Sequence, residues 1–152
     1  MKPERAVTIK RILTVLILIS IGVAWGHSAM PTPASQGESG FFLELLRPVL
    51  RCFLPEPAIT DHLVRKMAHF SEYALMGMEM MAYLSVTDRL KPHRIINALF
   101  SGLSIAFIDE TIQIFSGRGP LISDLWIDLG GFVTGGVILG LIVLALRRRK
   151  KD

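Results

Sequence analysis

The chain has 152 residues, of which 51% are hydrophobic, and it carries a formal net charge of +4. Its length suits one domain, and its apolar residues fall in long blocks, which favours a membrane protein over a soluble one. The basic residues lie at the ends of these blocks without interleaved aromatic residues, which argues against nucleic acid as a partner. The single cysteine, Cys52, excludes a disulfide within the chain.

Four apolar segments predict an all-α fold, a polytopic membrane helical bundle that forms one domain over residues 1–152. The predicted transmembrane helices cover about residues 10–29, 66–86, 95–115 and 124–146. The first segment follows a basic start, as the apolar part of a signal peptide does. Because His27 and Met30 interrupt the small residues behind it, a cleavage site is poorly supported, and we expect a retained span.

An interfacial amphipathic helix is predicted between the first and second spans, over residues 41–54. Residues 30–40 are rich in Pro, Ser and Gly and predict a loop before it. From Phe41 onward, apolar residues recur at helical spacing with charged residues elsewhere on the wheel, and Pro48 predicts a bend. The alternative is a short helix that packs over the bundle.

The distribution of basic residues predicts the orientation of the spans. If both termini are cytoplasmic, most of the 17 Lys and Arg residues lie on the cytoplasmic side, as the positive-inside rule requires. The second and fourth spans then begin at the outer surface, and the first and third end there. We therefore expect a multi-pass protein with both termini in the cytoplasm.

Polar residues occur at the outer ends of three predicted spans. They are Lys66, His69, Glu72 and Tyr73 in the second span, Asp109, Glu110 and Gln113 in the third, Arg118 in the following turn, and Asp124 and Asp128 in the fourth. An ionisable group in hydrocarbon costs about 2.5–3.5 kcal/mol on insertion scales, so such groups mark a functional site by default. Because three helices place these groups at one depth, we predict a single outward-facing polar pocket.

The residue types in this pocket suit three kinds of function. In the catalytic interpretation, His69, Asp109, Glu72 and Tyr73 are the catalytic residues, with His69 and Asp109 as acid and base. The ligand-binding residues are then Lys66, Glu110, Gln113, Arg118, Asp124 and Asp128. In the binding interpretation the pocket captures a ligand without turnover. In the structural interpretation the polar side chains only hold the helices of an assembly protein together.

The predicted pocket carries more negative than positive charge. Its carboxylates outnumber Lys66, Arg118 and the titratable ring of His69. In a low dielectric, such a cluster must take up protons, bind a divalent cation or bind a cationic ligand group. The acids favour an oxygen-ligated ion such as Mg²⁺ or Ca²⁺, and His69 leaves zinc open.

Two features of the fourth span favour structural roles. Asp124 is predicted to cap the helix, because Asp is a preferred N-cap residue. Gly131 and Gly135 form a small-residue pattern that lets a helix lie close to a neighbour. This close approach would also hold Asp128 against the neighbouring helix.

The polar residues fall in two blocks, RKMAHFSEYALMG at 65–77 and DETIQIFSGRGPLISDLWIDLGGFVTG at 109–135. Their order and spacing resemble the VanZ-like family of bacterial membrane proteins, named for a teicoplanin-resistance protein, over about residues 25–145. Asp128 stands where that family usually has Asn. The resemblance implies a bacterial inner-membrane protein linked to glycopeptide resistance or envelope biology, and it supplies no reaction. The expected partners are the lipid bilayer and a lipid-linked envelope precursor or phospholipid head group, with homo-oligomers left open.

Overall fold

The computed structural model describes residues 3–86, 91–117 and 121–149, and within these ranges the regular secondary structure is entirely helical. The helices are α1 (Pro3–Ala29), α2 (Thr32–Leu50), α3 (Asp61–Ser85), α4 (Pro92–Phe115) and α5 (Ile122–Arg149), with a short 3₁₀ helix at Glu56–Ala58. The predicted all-α fold is therefore confirmed.

Three of the described helices, α1, α4 and α5, are long and apolar enough to cross a membrane. Large apolar side chains such as Leu18 and Leu141 are more than half exposed on them, as expected for surfaces that lipid covers. Helix α3 has comparable length but is not among the three, because charged residues such as Lys66, Glu72 and Glu79 interrupt its apolar sequence. The structure thus supports a membrane bundle with three candidate spans.

The long helices run in alternating directions and share two common ends. Helix α1 is antiparallel to α3, because its residues pair with α3 in reverse order: His27 with Glu72, and Ser20 with Glu79. Helix α5 is parallel to α3, since Lys66 pairs with Asp124 at one end, and Arg147 donates to a carbonyl of α3 at the other. Helix α4 is parallel to α1, because Trp25 donates to the carbonyl of Ile105 and Ser28 donates to Asp109. The C-terminal ends of α1 and α4 therefore meet the N-terminal ends of α3 and α5.

Helices α3 and α5 approach most closely where glycines replace side chains. A Cβ atom on Gly135 would lie 1.8 Å from the carbonyl oxygen of Ala74, and one on Gly77 would lie 1.9 Å from that of Phe132. A Cβ atom on Gly131 would lie 2.4 Å from the carbonyl oxygen of Phe70. Only glycine fits at these three positions, and this is the close approach that the glycine pattern predicts.

Helix α2 differs from its predicted bounds at both ends. It begins at Thr32, so the predicted loop over residues 30–40 is mostly helical, and it ends at Leu50 rather than near residue 54. Proline is tolerated in the first turn of a helix, because an N–H group there would have no intrahelical partner. Pro33 lies in this turn, so it is compatible with the helix. The prediction of a loop from Pro and Gly content was wrong for this reason.

One side of α2 packs on α3, and another side is exposed. Leu43 and Leu46 contact a small apolar core formed by Leu50, Ile59 and Val64. Phe41 and Leu45, by contrast, are 68% and 62% exposed. Helix α2 therefore packs against the bundle, as the alternative expects, and its exposed apolar side chains are compatible with an interfacial position, which stays a prediction.

Candidate functional site

Three helices bring His69, Asp109 and Asp128 together at the shared end of the bundle. Nδ1 of His69, on α3, lies 3.7 Å from Oδ2 of Asp109 on α4 and 3.7 Å from Oδ1 of Asp128 on α5. Asp109 is fully buried and Asp128 is 1% exposed, whereas the His69 side chain is 19% exposed. We call these three residues the His–Asp cluster. An imidazole between two buried carboxylates can exchange protons with them or join them in binding a cation.

Helix α1 supplies a hydrogen bond to the His–Asp cluster. Ser28 is fully buried, and its Oγ donates to Oδ2 of Asp109 over 2.8 Å. Gln113, one turn after Asp109 on α4, donates from Nε2 to the same oxygen over 3.2 Å. Ser116 donates to the backbone carbonyl of Ser28 over 2.9 Å and so joins the ends of α1 and α4. Together these bonds hold the Asp109 carboxylate in one orientation.

Several buried oxygens at this end of the bundle have no hydrogen-bond partner among the described residues. They are both carboxylate oxygens of Asp128, Oδ1 of Asp109 and the hydroxyl of Tyr73. Leaving a buried polar atom unsatisfied costs roughly 1–3 kcal/mol, and more when the group is charged. A proton, a water molecule or a ligand must therefore compensate at Asp128 above all.

Tyr73 lies one turn after His69 on α3 and is fully buried. It belongs to an apolar core with Ala24, Met76, Ala106 and Phe132. Its ring therefore contributes to packing between α1, α3, α4 and α5, whatever its hydroxyl contacts. The catalytic role expected for Tyr73 stays a prediction.

The other predicted acids have partners of their own. Oε1 of Glu72 lies 2.6 Å from Nδ1 of His27, and Oδ1 of Asp124 lies 3.0 Å from Nζ of Lys66. Glu110 accepts a hydrogen bond from the backbone N–H of Leu121 over 3.3 Å. Of the five carboxylates predicted from the sequence, Asp109 and Asp128 each have an oxygen 3.7 Å from Nδ1 of His69, and the other three have the partners just described. That all five serve one pocket stays a prediction.

Asp124 does not cap α5 in the predicted way. The helix begins at Ile122, two residues earlier, so Asp124 lies within its first turn. A carboxylate there still interacts favourably with the helix dipole, and it reaches across to Lys66 on α3. The other predicted residue of the turn, Arg118, lies outside the described residues.

A cavity of about 520 Å³ lies between α2 and α3, next to the His–Asp cluster. Its lining combines apolar side chains, such as Phe42 and Leu46, with polar ones, including His27, Glu72 and His69. His69 thus contributes both to the cavity wall and to the buried cluster. Asp109 and Asp128 are not part of the lining, so the His69 ring is the group that connects the cavity to them.

The model of the family described as VanZ/LLP1 matches residues 11–144 of the chain. The chain belongs to the VanZ/LLP1 family. No curated protein and no solved structure matches it. The family match begins within α1, so in this VanZ/LLP1 protein the helix that donates to Asp109 is part of the family domain.

Sequence reasoning missed two residues of this VanZ/LLP1 protein that contact the predicted site, His27 and Ser28. Both lie near the end of α1, in a segment whose small residues resemble those of a signal-peptide cleavage site. The predicted orientation of the spans could have identified them. A first span that runs outward ends at the same depth as Asp109, so its terminal polar residues belong with the other three helices.

Proposed function

We propose that this protein lies in the bacterial inner membrane and binds the charged head group of a lipid-like envelope component in an outward-facing pocket. The cavity beside the His–Asp cluster is the observation that carries this proposal, because it combines an apolar wall with charged groups. A lipid-linked precursor and a phospholipid share this chemistry, since both join a charged phosphate group to a long apolar chain.

The lining of the cavity favours such an amphiphile over a small polar solute. Phe42 and Leu46 of α2 and Met67 of α3 provide apolar contacts, and α2 also presents exposed apolar residues toward the surroundings. Arg65 and Glu72 provide one positive and one negative group in the same wall. A ligand that leaves its chain in the bilayer and places its head group at Arg65 and Glu72 satisfies both parts of this lining.

The proposal includes α3 as a fourth span. With 25 residues, α3 is long enough to cross the hydrocarbon core of about 30 Å, which takes about 20 residues. It lies antiparallel to α1, contacting it from Glu72 to Glu79, and its charged groups meet partners on α1 and α5. Pairing toward the interior of a bundle is how ionisable residues are tolerated within a span. With both termini cytoplasmic, the His–Asp cluster and the cavity face outward.

Within this pocket the residues predicted from the sequence have distinct proposed roles. His69 and Asp109 would exchange a proton if the protein turns over its ligand, with Glu72 and Tyr73 beside them. Lys66, Glu110, Gln113, Asp124 and Asp128 would bind the ligand or position these groups, and Arg118 would contact its phosphate. Binding without turnover uses the same contacts. Detecting a converted lipid after incubation with the protein distinguishes an enzyme from a binding protein.

Native mass spectrometry of the detergent-solubilised protein tests head-group binding directly. A polyprenyl phosphate and phosphatidylethanolamine are added in separate experiments. We expect the protein to retain one of them, and the lipid retained identifies the kind of chain and head group that is bound. Arg65→Gln should reduce this retention, because it removes the cationic group of the cavity wall, whereas Arg51→Gln, at an exposed residue outside the cavity lining, should not. Equal, unsaturable uptake of both lipids by wild type and Arg65→Gln would contradict the proposal.

The link to glycopeptide resistance is tested in cells. We expect deletion of the protein to change teicoplanin susceptibility, and we expect complementation by wild type and Glu44→Gln but not by His69→Ala. The alternative is an assembly protein whose polar residues only hold the bundle together. In that case His69→Ala and Asp109→Asn would lower the amount of protein in the membrane, and any variant that accumulates normally would retain function.

A further inference from the structure

We propose that the His–Asp cluster binds one divalent first-row transition ion, through Nδ1 of His69 and one carboxylate oxygen each from Asp109 and Asp128. This inference goes beyond head-group binding and does not depend on it. It assigns a ligand set of one nitrogen and two oxygens from three different helices.

The separations of the ligand atoms are close to those that a bound ion requires. The nitrogen of His69 lies 3.7 Å from an oxygen of Asp109 and 3.7 Å from an oxygen of Asp128, and the three ligand atoms all lie within 4.8 Å of one another. Bonds of about 2.0–2.2 Å in tetrahedral geometry place ligand atoms about 3.3–3.6 Å apart. The two distances from His69 are close to this range, and the two carboxylate oxygens, which lie within 4.8 Å of each other, reach it by side-chain rotation when an ion binds.

The state of Asp128 independently indicates a missing ligand. Its side chain is 1% exposed, and neither of its carboxylate oxygens has a hydrogen-bond partner among the described residues. In Asp109, Oδ1 also lacks a hydrogen-bond partner among the described residues, whereas Oδ2, the oxygen 3.7 Å from His69, accepts from Ser28 and Gln113. A cation bound beside Asp128 compensates its carboxylate, with Asp109 as a second, oriented ligand and the imidazole as a neutral third one.

The surroundings of Asp109 resemble those of a metal-binding carboxylate. Ser28 and Gln113 donate hydrogen bonds to its Oδ2, which fixes the orientation of the carboxylate before an ion binds. His69 also lies in the wall of the 520 Å³ cavity, so an ion can reach the site from that side. Coordination positions left open by the three protein ligands would then face water or a head-group phosphate.

The donor set decides which kind of ion is favoured. The acid content of the sequence favours Mg²⁺ or Ca²⁺, but in the structure Glu72 pairs with His27 and Asp124 with Lys66, which leaves Asp109 and Asp128 as the carboxylates of the proposed ligand set. One imidazole and two carboxylates are too few oxygen ligands for Ca²⁺, which takes six to eight, and imidazole suits first-row transition ions. We therefore assign the site to Zn²⁺ or Mn²⁺.

Titration of the full chain with metal alone tests the assignment. After chelator treatment and removal of the chelator, we expect calorimetry in detergent to show one saturable Zn²⁺ or Mn²⁺ site per chain. Replacing a residue that only hydrogen-bonds a metal ligand lowers metal affinity roughly 10–100-fold. Asp128→Asn removes a ligand itself and should lower the affinity by more than this. The matched control is Glu79→Gln, because Glu79 is another partly buried acid of the bundle, paired with Ser20 and remote from the cluster.

A spectroscopic measurement on the unmodified protein guards against a variant that fails to fold. With Mn²⁺ bound, pulsed electron paramagnetic resonance should show coupling to an imidazole nitrogen, as ligation by His69 requires. Absence of saturable Zn²⁺ and Mn²⁺ binding would overturn the proposal. So would absence of nitrogen coupling, binding of Mg²⁺ or Ca²⁺ alone, or undiminished binding by a folded Asp128→Asn variant. None of these measurements uses a lipid ligand, so their failure is distinct from failure of head-group binding.

Discussion

Ser28 and Asp109 are 81 positions apart in the chain, and a 2.8 Å hydrogen bond joins them in the interior of the bundle. Both side chains are fully buried, so the bond ties the last turn of α1 to the carboxylate that lies beside His69. The first helix is therefore a structural part of the candidate site.

Ser28→Ala should lower the free energy of unfolding by about 1–3 kcal/mol, because it deprives a buried carboxylate of a hydrogen bond. It should also weaken metal binding by roughly 10–100-fold if Asp109 is a ligand. Thermal unfolding in detergent and metal titration measure the two effects. Ser101→Ala is the control, since Ser101 is exposed and its hydroxyl bonds only to its own helix among the described residues. Equal behaviour of the two variants would contradict the role assigned to Ser28.

Gly135→Ala should destabilise the protein strongly, although alanine is the better helix former by about 1 kcal/mol. Its Cβ atom would lie 1.8 Å from the carbonyl oxygen of Ala74, so α3 and α5 would have to separate. Gly130→Ala is the matched control, because a Cβ atom there has nothing within 4 Å. Thermal unfolding should show that Gly135→Ala lowers the free energy of unfolding by about 1–3 kcal/mol, and less of this variant should accumulate in the membrane. Gly130→Ala should show neither effect. Tolerance of both substitutions would rule out the described packing of α3 and α5.

The ion pair between Lys66 and Asp124 should contribute little to stability. Its side chains are 28% and 25% exposed, and partly solvated pairs contribute about 0.2–1 kcal/mol. A double-mutant cycle with Lys66→Met and Asp124→Asn should therefore give a coupling energy below about 1 kcal/mol. A coupling energy of several kcal/mol would place this pair in a far drier environment than the structure describes.

The proposed orientation is testable with the single cysteine. Cys52 is exposed and should react in intact spheroplasts with a maleimide that does not cross membranes. The converse variant carries Arg148→Cys together with Cys52→Ser, and its thiol near the end of α5 should react only after permeabilisation. Labelling in the opposite pattern would place the His–Asp cluster on the cytoplasmic side.

Much of the architecture could be predicted from the sequence because its signals are local. Hydrophobic blocks predicted the helices, and the glycines at 131 and 135 predicted a close helix contact. Two predictions failed because they depended on where a helix begins. The segment 30–40 was predicted as a loop, but Pro33 falls in the first turn of α2, where helices accept proline. Asp124 was predicted as the N-cap, but α5 begins at Ile122, so Asp124 lies in its first turn.

The sequence by itself determined the helical class, the candidate spans and the polar residues near one end of each, since hydropathy and helical periodicity depend on adjacent residues. Only the tertiary structure decided which acids face His69, because the rotation of each helix about its axis depends on its contacts with the others. The glycine contacts between α3 and α5 set that rotation for Asp128. The bond from Ser28 holds the carboxylate of Asp109, and the remaining acids pair elsewhere.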